Sequence, residues 1–192
     1  MENNFIEFLS QYITLTEDEK KIIEELNLIR KYKKGTVLLK EGMISNECYW
    51  VLKGCLRSYY VIDGEEKTTA FFTETQIATP VSYAKRTPSE YYISCLEDCM
   101  LSVGTIEKTN MLISKIPKVK IIGNILNGEL LVENQILFDN YMMLTAEKRY
   151  LKLLETRPDL CNRVPQYHLA SYLGIKPESL SRIRRRLIKK NA

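Results

Sequence analysis

The residues best suited to chemistry in this 192-residue chain lie near its C-terminal end, in VPQYHLASYLGIKPESLSRIRRRLIKK. Leu180, Ile183 and Leu187 recur at spacings of three and four. On a helix they share one face and leave Glu178, Ser179, Ser181, Arg182, Arg185, Arg186 and Lys189 outward. The outward face is basic and begins with small hydroxyl side chains that permit close approach to base edges. In a DNA major groove an arginine donates two hydrogen bonds to guanine O6 and N7, and a carboxylate accepts from cytosine N4. Arg182 and Glu178, with Ser179 and Ser181 beside them, are therefore the candidate base-reading residues. Gln166, His168, Lys176, Arg185, Arg186, Lys189 and Lys190 are candidates for phosphate contacts, which set affinity and register without carrying sequence information. The plainer alternative is that the arginine run only ends a solvated helix, where cations suit the dipole. Charge distribution weighs against it. Of 28 basic and 24 acidic residues, 12 and 4 fall between Thr145 and Ala192, so a segment of net charge +8 follows one of −4. Such asymmetry points to an acidic partner for the C-terminal quarter, nucleic acid or an anionic surface.

Local elements must hold this face in place. Gln166 to Leu173 predicts a short helix with Leu169, Ala170 and Leu173 inward, ended by Gly174 in a left-handed conformation and followed by Ile175-Lys176 and Pro177. The next helix starts near Pro177 or Glu178, and two short helices around a glycine turn describe a helix-turn-helix. Thr145 is a good N-cap for a helix from Ala146 to about Thr156, which Pro158 stops. Upstream, Ile116-Pro117 opens a long helix from about Lys118 to Met143. Val119, Ile122, Leu126, Leu130, Leu137 and Tyr141 recur along it every three or four residues, and are the candidate dimerisation residues; Ile121, Ile125, Val132, Ile136 and Met143 widen the stripe. A helix apolar on more than one side can pack on its own domain and on a second copy, though burial inside one chain fits the pattern equally.

Between Lys34 and Val103 the texture is that of short strands: Thr36 to Lys40, Glu47 to Leu52, Cys55 to Ile62, Thr68 to Thr73, Tyr91 to Leu96 and Cys99 to Val103. Asp63-Gly64 is a hairpin signal, since both residues tolerate positive φ, and the regular spacing argues for a sandwich or barrel. Before this region, Thr16-Glu17-Asp18-Glu19 has the form of a capping box and predicts a helix from about Glu17 to Ile29.

Taken together, KKGTVLLKEGMISNECYWVLKGCLRSYYVIDGEEKT, which is similar to a glycine-punctuated β-roll, and HLASYLGIKPESLSRIRRRL, which looks like a DNA-reading motif, make the whole chain resemble the Crp/Fnr superfamily of bacterial transcription regulators. The resemblance implies an α+β fold. It would comprise an N-terminal double-stranded β-helix (jelly-roll, cyclic-nucleotide-binding-like) domain over 1–116, a long dimerisation helix over 117–144 and a C-terminal (winged) helix-turn-helix over 145–192. In the family an Arg, a Glu and a second Arg near the start of the recognition helix touch bases. Glu178 and Arg182 match the last two and Pro177 replaces the first. With the sequence ending soon after this helix, a full wing hairpin is not expected.

The effector motif departs further. Cyclic-nucleotide binders of the family use Gly-Glu for the ribose and Arg-Ser for the phosphate. In QIATPVSYAKRTPSEYYISCLED the equivalent positions are Thr79-Pro80 and Ser89-Glu90. A carboxylate where phosphate should sit would repel it, so cyclic AMP is disfavoured, with Lys85 or Arg86 either a replacement cation or a solvated loop charge. No haem or iron–sulfur cluster is expected, because the only histidine is His168 and the first cysteine is Cys48. One histidine also argues against a metal site of the cupin kind. The effector stays unknown, and Tyr49, Trp50, Tyr59, Tyr60, Tyr91 and Tyr92 are either pocket or core residues. No Gly-rich phosphate loop and no nucleophile–base pair is evident, so no enzyme is expected.

Charge-free runs are too short or too polar to cross a membrane, the start MENNFIEFLSQY lacks the order of a signal peptide, and five cysteines without metal or disulfide spacing fit a reducing cytoplasm. The expected partners are double-stranded DNA at a pseudo-palindromic site and a second copy of the chain. RNA polymerase is left open as a third, and no membrane partner is expected. The expected function is a homodimeric, sequence-specific regulator of transcription. The alternative is a β-roll ligand-binding or protein-interaction module whose helix-turn-helix does not read DNA.

Overall fold

The computed structural model describes residues 4–191, with side chains from Phe5 to Lys189. In chain order the elements are α1 (Asn4–Ser10), α2 (Glu17–Glu25), β1 (Ile29–Tyr32), β2 (Val37–Leu39), β3 (Glu47–Lys53), β4 (Leu56–Ile62), β5 (Glu65–Phe72), β6 (Ile77–Ala78), α3 (Val81–Lys85), β7 (Tyr92–Cys95), β8 (Cys99–Thr105), α4 (Ile106–Lys115), α5 (Val119–Met143), α6 (Ala146–Thr156), α7 (Pro158–Arg163), α8 (Gln166–Tyr172) and α9 (Pro177–Asn191). The strands form two four-stranded sheets, ordered β1-β8-β3-β6 and β2-β7-β4-β5. The chain clusters into two compact units, one holding residues through Ser58 with Phe71–Gly128, the other Tyr59–Ala70 with the residues from Glu129 on. The division falls inside α5. Among the described residues no helix is long and apolar enough to cross a membrane.

In the first unit, alternation along β3 separates two cores. Tyr49 and Val51 join Leu39, Leu56, Ile93 and Leu101 inside the roll, where Cys55, Cys95 and Cys99 also lie. Trp50 turns to the opposite face and packs under helices with Phe5, Phe8, Leu28, Leu112 and Ile122. Its ring meets those of Phe5 and Phe8 edge-on, with centroids 5.3 Å and 3.8 Å away. Gly54, at φ +105°, is required by close approach, since a Cβ there would lie 2.6 Å from Cys99 Sγ.

The capping box forms: Thr16 Oγ1 accepts from Glu19 N (3.3 Å) and Glu19 Oε2 accepts from Thr16 N (2.7 Å). The helix it opens stops at Glu25, four residues short of the expected Ile29, because Asn27 takes φ +44° and turns the chain into β1. Asp63 and Gly64 both adopt positive φ in the β4–β5 turn, as a tight hairpin demands.

The second unit is built on α6 to α9. Tyr150, Leu153, Leu160, Val164, Leu169, Ala170, Leu173, Leu180 and Ile183 are the buried apolar side chains of this helical part. Thr145 caps α6 by accepting from Lys148 N, and Pro158 begins α7 at the position where a missing N–H costs nothing, so it starts a helix as well as ending one. Arg149 ties the end of α5 to α8: its guanidinium donates to Tyr141 O (3.2 Å), Leu144 O (2.8 Å) and Leu173 O (2.9 Å), and lies over the Tyr141 ring at 4.7 Å. Ser171 Oγ accepts from Thr68 N (2.8 Å) and donates to Glu66 O (3.1 Å), which anchors the hairpin segment of this unit to α8.

Candidate nucleic-acid interface

The turn between α8 and α9 is set by backbone geometry. Gly174 takes φ +68°, and the Ile175 N–H reaches back to Ala170 O at 3.0 Å, satisfying a carbonyl at the end of α8. Lys176 O then accepts from Ser179 N (3.0 Å) and Leu180 N (3.2 Å), opening α9 with Pro177 in its first turn. A Cβ on Gly174 would fall 2.7 Å from Tyr141 Oη, so both the conformation and the space select glycine.

From this start, Leu180 and Ile183 are buried and Leu187 half-buried, while Glu178, Ser181, Arg182, Arg185, Arg186 and Lys189 are exposed and Ser179 is half-exposed. Ser179, Arg182, Arg185, Arg186 and Lys189 line one basic groove along α9. Arg182 Nη2 donates to Ser179 Oγ (3.3 Å) and Arg185 Nη2 to Ser181 Oγ (3.4 Å), long bonds that steer the guanidiniums without consuming their remaining donors. Arg186 is more committed, with Nη2 2.9 Å from Glu147 Oε2. Glu178 and Lys176 line a separate depression with Gln166's neighbour Tyr167 and with Glu65, Glu66 and Lys67 of the hairpin. There Lys67 donates to Glu65 and holds that carboxyl below its usual range.

The structure thus brings Ser179 and Arg182 together and places Glu178 at the other side of the helix start. His168 is a correction to the phosphate set. It is 7% exposed and its ring lies 4.1 Å from that of Tyr167, because its position in α8 faces inward beside Leu169 and Ala170. Tyr167, 59% exposed, presents a hydroxyl to solvent at the place expected of His168. It was missed because a tyrosine gives no charge signal, although tyrosines do contact phosphates. Gln166 and Lys176 are exposed; the side chain of Lys190 lies outside the described residues. Arg184, also exposed, is near Tyr150, whose hydroxyl burial pushes up in pKa and Arg184 partly restores.

The dimerisation set divides. Val119, Ile122 and Leu126 pack on their own unit's core, with Ile122 2% exposed and so buried within the single chain, and Val119 and Leu126 half-buried. Leu130 is half-buried, and Leu137 and Tyr141 are exposed. The neighbouring set is the one in water: Ile121, Ile125, Val132 and Ile136, spaced by four, seven and four residues, together with Leu131 and Phe138.

At the effector-type segment, Thr79 and Glu90 are exposed and Pro80 and Ser89 buried. Ser89 is tied to its own loop and to the β2–β3 loop: Oγ donates to Tyr91 O (2.8 Å), N donates to Met43 O (2.9 Å) and O accepts from Gly42 N (2.7 Å). The first N–H of α3, on Val81, donates to Tyr91 Oη at 2.9 Å. Arg86 donates to Ser45 O (3.0 Å) and Asn46 Oδ1 (2.9 Å), and so braces the loop; Lys85 is exposed.

Residues 29–115 match the cyclic nucleotide-binding domain. FixK2 from Bradyrhizobium japonicum superposes with a TM-score of 0.70 at 18% identity, covering 85% of this chain and 85% of that one. The c-di-GMP-responsive global regulator CLP of Xanthomonas campestris gives 0.66 at 19%, over 90% and 93% of the two chains. A transcriptional regulator of the Crp/Fnr family from Eubacterium rectale, described as putative, gives 0.65 at 21%, over 92% and 85%. No curated protein matches the sequence. At these identities the likeness is one of fold: the chain has the architecture of Crp/Fnr-type transcription regulators, a β-roll, a long helix and a helix-turn-helix.

Proposed function

We propose that the chain is a homodimeric, sequence-specific DNA-binding regulator of transcription of the Crp/Fnr type, acting in the cytoplasm and not controlled by cyclic AMP. The observation that carries this reading is the exposed basic groove of Ser179, Arg182, Arg185, Arg186 and Lys189, held outward by the burial of Leu180 and Ile183. Arg182 reads a base edge, while Lys176, Arg185 and Lys189 neutralise phosphates. A second copy packs along Ile121, Ile125, Val132 and Ile136, whose exposure in a single chain leaves an apolar seam in water. Such a dimer sets its two recognition helices about 34 Å apart and selects a pseudo-palindrome. Independence from cyclic AMP is supported by the effector-type segment, where Ser89 is bonded to Tyr91, Met43 and Gly42, and where exposed Glu90 takes the position at which the family resemblance implies a phosphate ligand.

Selection of bound duplexes from a randomised pool, followed by gel-shift titration at low salt, tests the DNA reading. Enrichment of a two-fold symmetric motif is expected, and the absence of any binding would sink it. Sedimentation equilibrium decides the oligomeric state, with a dimer expected. Thermal melting with cyclic AMP should show no shift, whereas a ligand at a hundred times its Kd stabilises by about 2.7 kcal/mol; a rise of that size would overturn the effector reading.

A further inference from the structure

We propose that the first unit carries a binding site for a small apolar carboxylate on the side of β3 facing the helices, in a cavity walled by β3, β8, α1, α4 and the first turns of α5. Its volume is about 340 Å³, within the 300–1,000 Å³ that small-molecule sites occupy. Phe5, Leu28, Trp50, Ile77, Leu112 and Ile122 form its inner wall, and exposed Lys120, Asn124 and Asn127 stand at its mouth. The cavity lies on the face of β3 opposite Tyr49 and Val51, outside the roll's interior cluster, and shares no lining residue with the segment from Thr79 to Glu90.

Two observations identify the chemistry of the occupant. Trp50 is 8% exposed and its Nε1–H has no hydrogen-bond partner among the described residues. A buried donor left unmatched is costly, and an oxygen entering the cavity removes that cost. Among the described residues lining the cavity, Lys108 and Lys120 are basic and none is acidic, so their field favours an anion. Lys108 is fixed in place, its Nζ donating to Leu26 O (2.8 Å) and Asn27 O (3.4 Å). The apolar walls favour an apolar body, and the unmatched N–H and the exposed Lys120 ammonium at the mouth favour an acceptor of negative charge. Gly123 helps to make the space: it lines the cavity, and a Cβ there would meet nothing within 4 Å.

Trp50 is the chain's only tryptophan, so its emission reports on this cavity alone. The test titrates DNA-free full-length protein with 4-iodophenylacetate, whose iodine quenches indole emission on contact, and with 4-iodophenethylamine, the same body bearing a cation. DNA plays no part in the measurement, so its outcome is independent of the DNA-binding reading. Saturable quenching by the acid is expected, with at least tenfold weaker quenching by the amine. Lys120→Glu, a change at an exposed side chain, should weaken the acid about tenfold and narrow that preference. Gly123→Leu should fill the cavity and abolish the saturable phase; if that variant fails to fold by circular dichroism, Lys120→Glu decides. Non-saturable quenching by both compounds, equal affinity for acid and amine, or saturable quenching untouched by Lys120→Glu would each overturn the proposal.

Discussion

Lys189→Ala and Arg182→Ala should separate the two kinds of DNA contact on α9. Both side chains are exposed and line the same groove, so truncating either leaves the buried Leu180–Ile183 face intact and the fold unchanged. In a symmetric dimer each substitution acts twice. Every neutralised phosphate contributes about −0.9 to the slope of log K against log salt, so Lys189→Ala should flatten that slope by about 1.8 on any duplex. With Lys176, Arg185 and Lys189 counted and the Glu147-bound Arg186 left out, three contacts per protomer predict a wild-type slope of about −5.4. Arg182→Ala should instead cost about 1–3 kcal/mol per base pair read, confined to the selected sequence, and leave the slope nearly unchanged. Fluorescence anisotropy on the selected duplex and a scrambled one, across roughly 50 to 300 mM salt, spans the range in which counterion release dominates. If Arg182→Ala weakened both duplexes alike and flattened the slope by about 1.8, Arg182 would be a phosphate contact and the base-reading assignment would fall. An unchanged slope in Lys189→Ala would remove that residue from the interface.

Ile122→Ala should lower unfolding free energy by about 2–5 kcal/mol in chemical denaturation, since Ile122 anchors α5 in the first unit's core. Ile136→Glu, at a side chain 51% exposed, should convert the dimer to monomer by sedimentation while leaving the circular dichroism spectrum unchanged; a persistent dimer would put the interface elsewhere. Gly174→Ala should destabilise the second unit by more than about 1 kcal/mol through its φ of +68° and the clash with Tyr141 Oη, and Tyr141→Phe in the same chain should recover part of the loss. Glu19 accepts from Lys118 Nζ (2.7 Å) and from Thr16 N (2.7 Å), which hold its pKa below the ordinary 4.5. Its contribution is complete above that ordinary value and fades as pH falls through the lower folded-state value. The melting-temperature gap between wild type and Glu19→Gln should therefore be constant near neutrality and close on acidification.

The elements legible in the sequence were those whose signals are local. Asp63-Gly64 demanded a tight hairpin, Thr16 and Glu19 a capping box, and Gly174 a left-handed stop, and each forms from residues within a few positions of one another. Less legible were elements that owe their state to distant partners. β6 is two residues, Ile77–Ala78, made a strand by pairing with Tyr49 and Trp50. α1 and α4 are short helices, with Phe5, Leu9 and Leu112 buried in the core around Trp50. His168 failed for the same reason: polarity suggested a surface residue, but the turn of α8 carrying Leu169 and Ala170 into the core takes it along.

The long helix shows why periodicity alone could not assign the candidate dimer contacts. Ile122 and Ile121 are equally apolar and belong to two series offset by one residue, about 100° around the helix. Either series makes a continuous stripe, so the pattern predicts two sticky faces without saying which partner each receives. The decision is made by chain segments far from α5 in sequence: Phe5, Trp50 and Leu112 form the surface that takes Val119, Ile122 and Leu126. That choice sends Ile121, Ile125, Val132 and Ile136 to the opposite side of the ledger, exposed in the single chain. Burying them against a second copy would remove their apolar surface from water at about 25 cal/mol per Å². Part of the candidate dimerisation set therefore attaches α5 to its own unit, and the apolar stripe left exposed in the single chain is the one beside it.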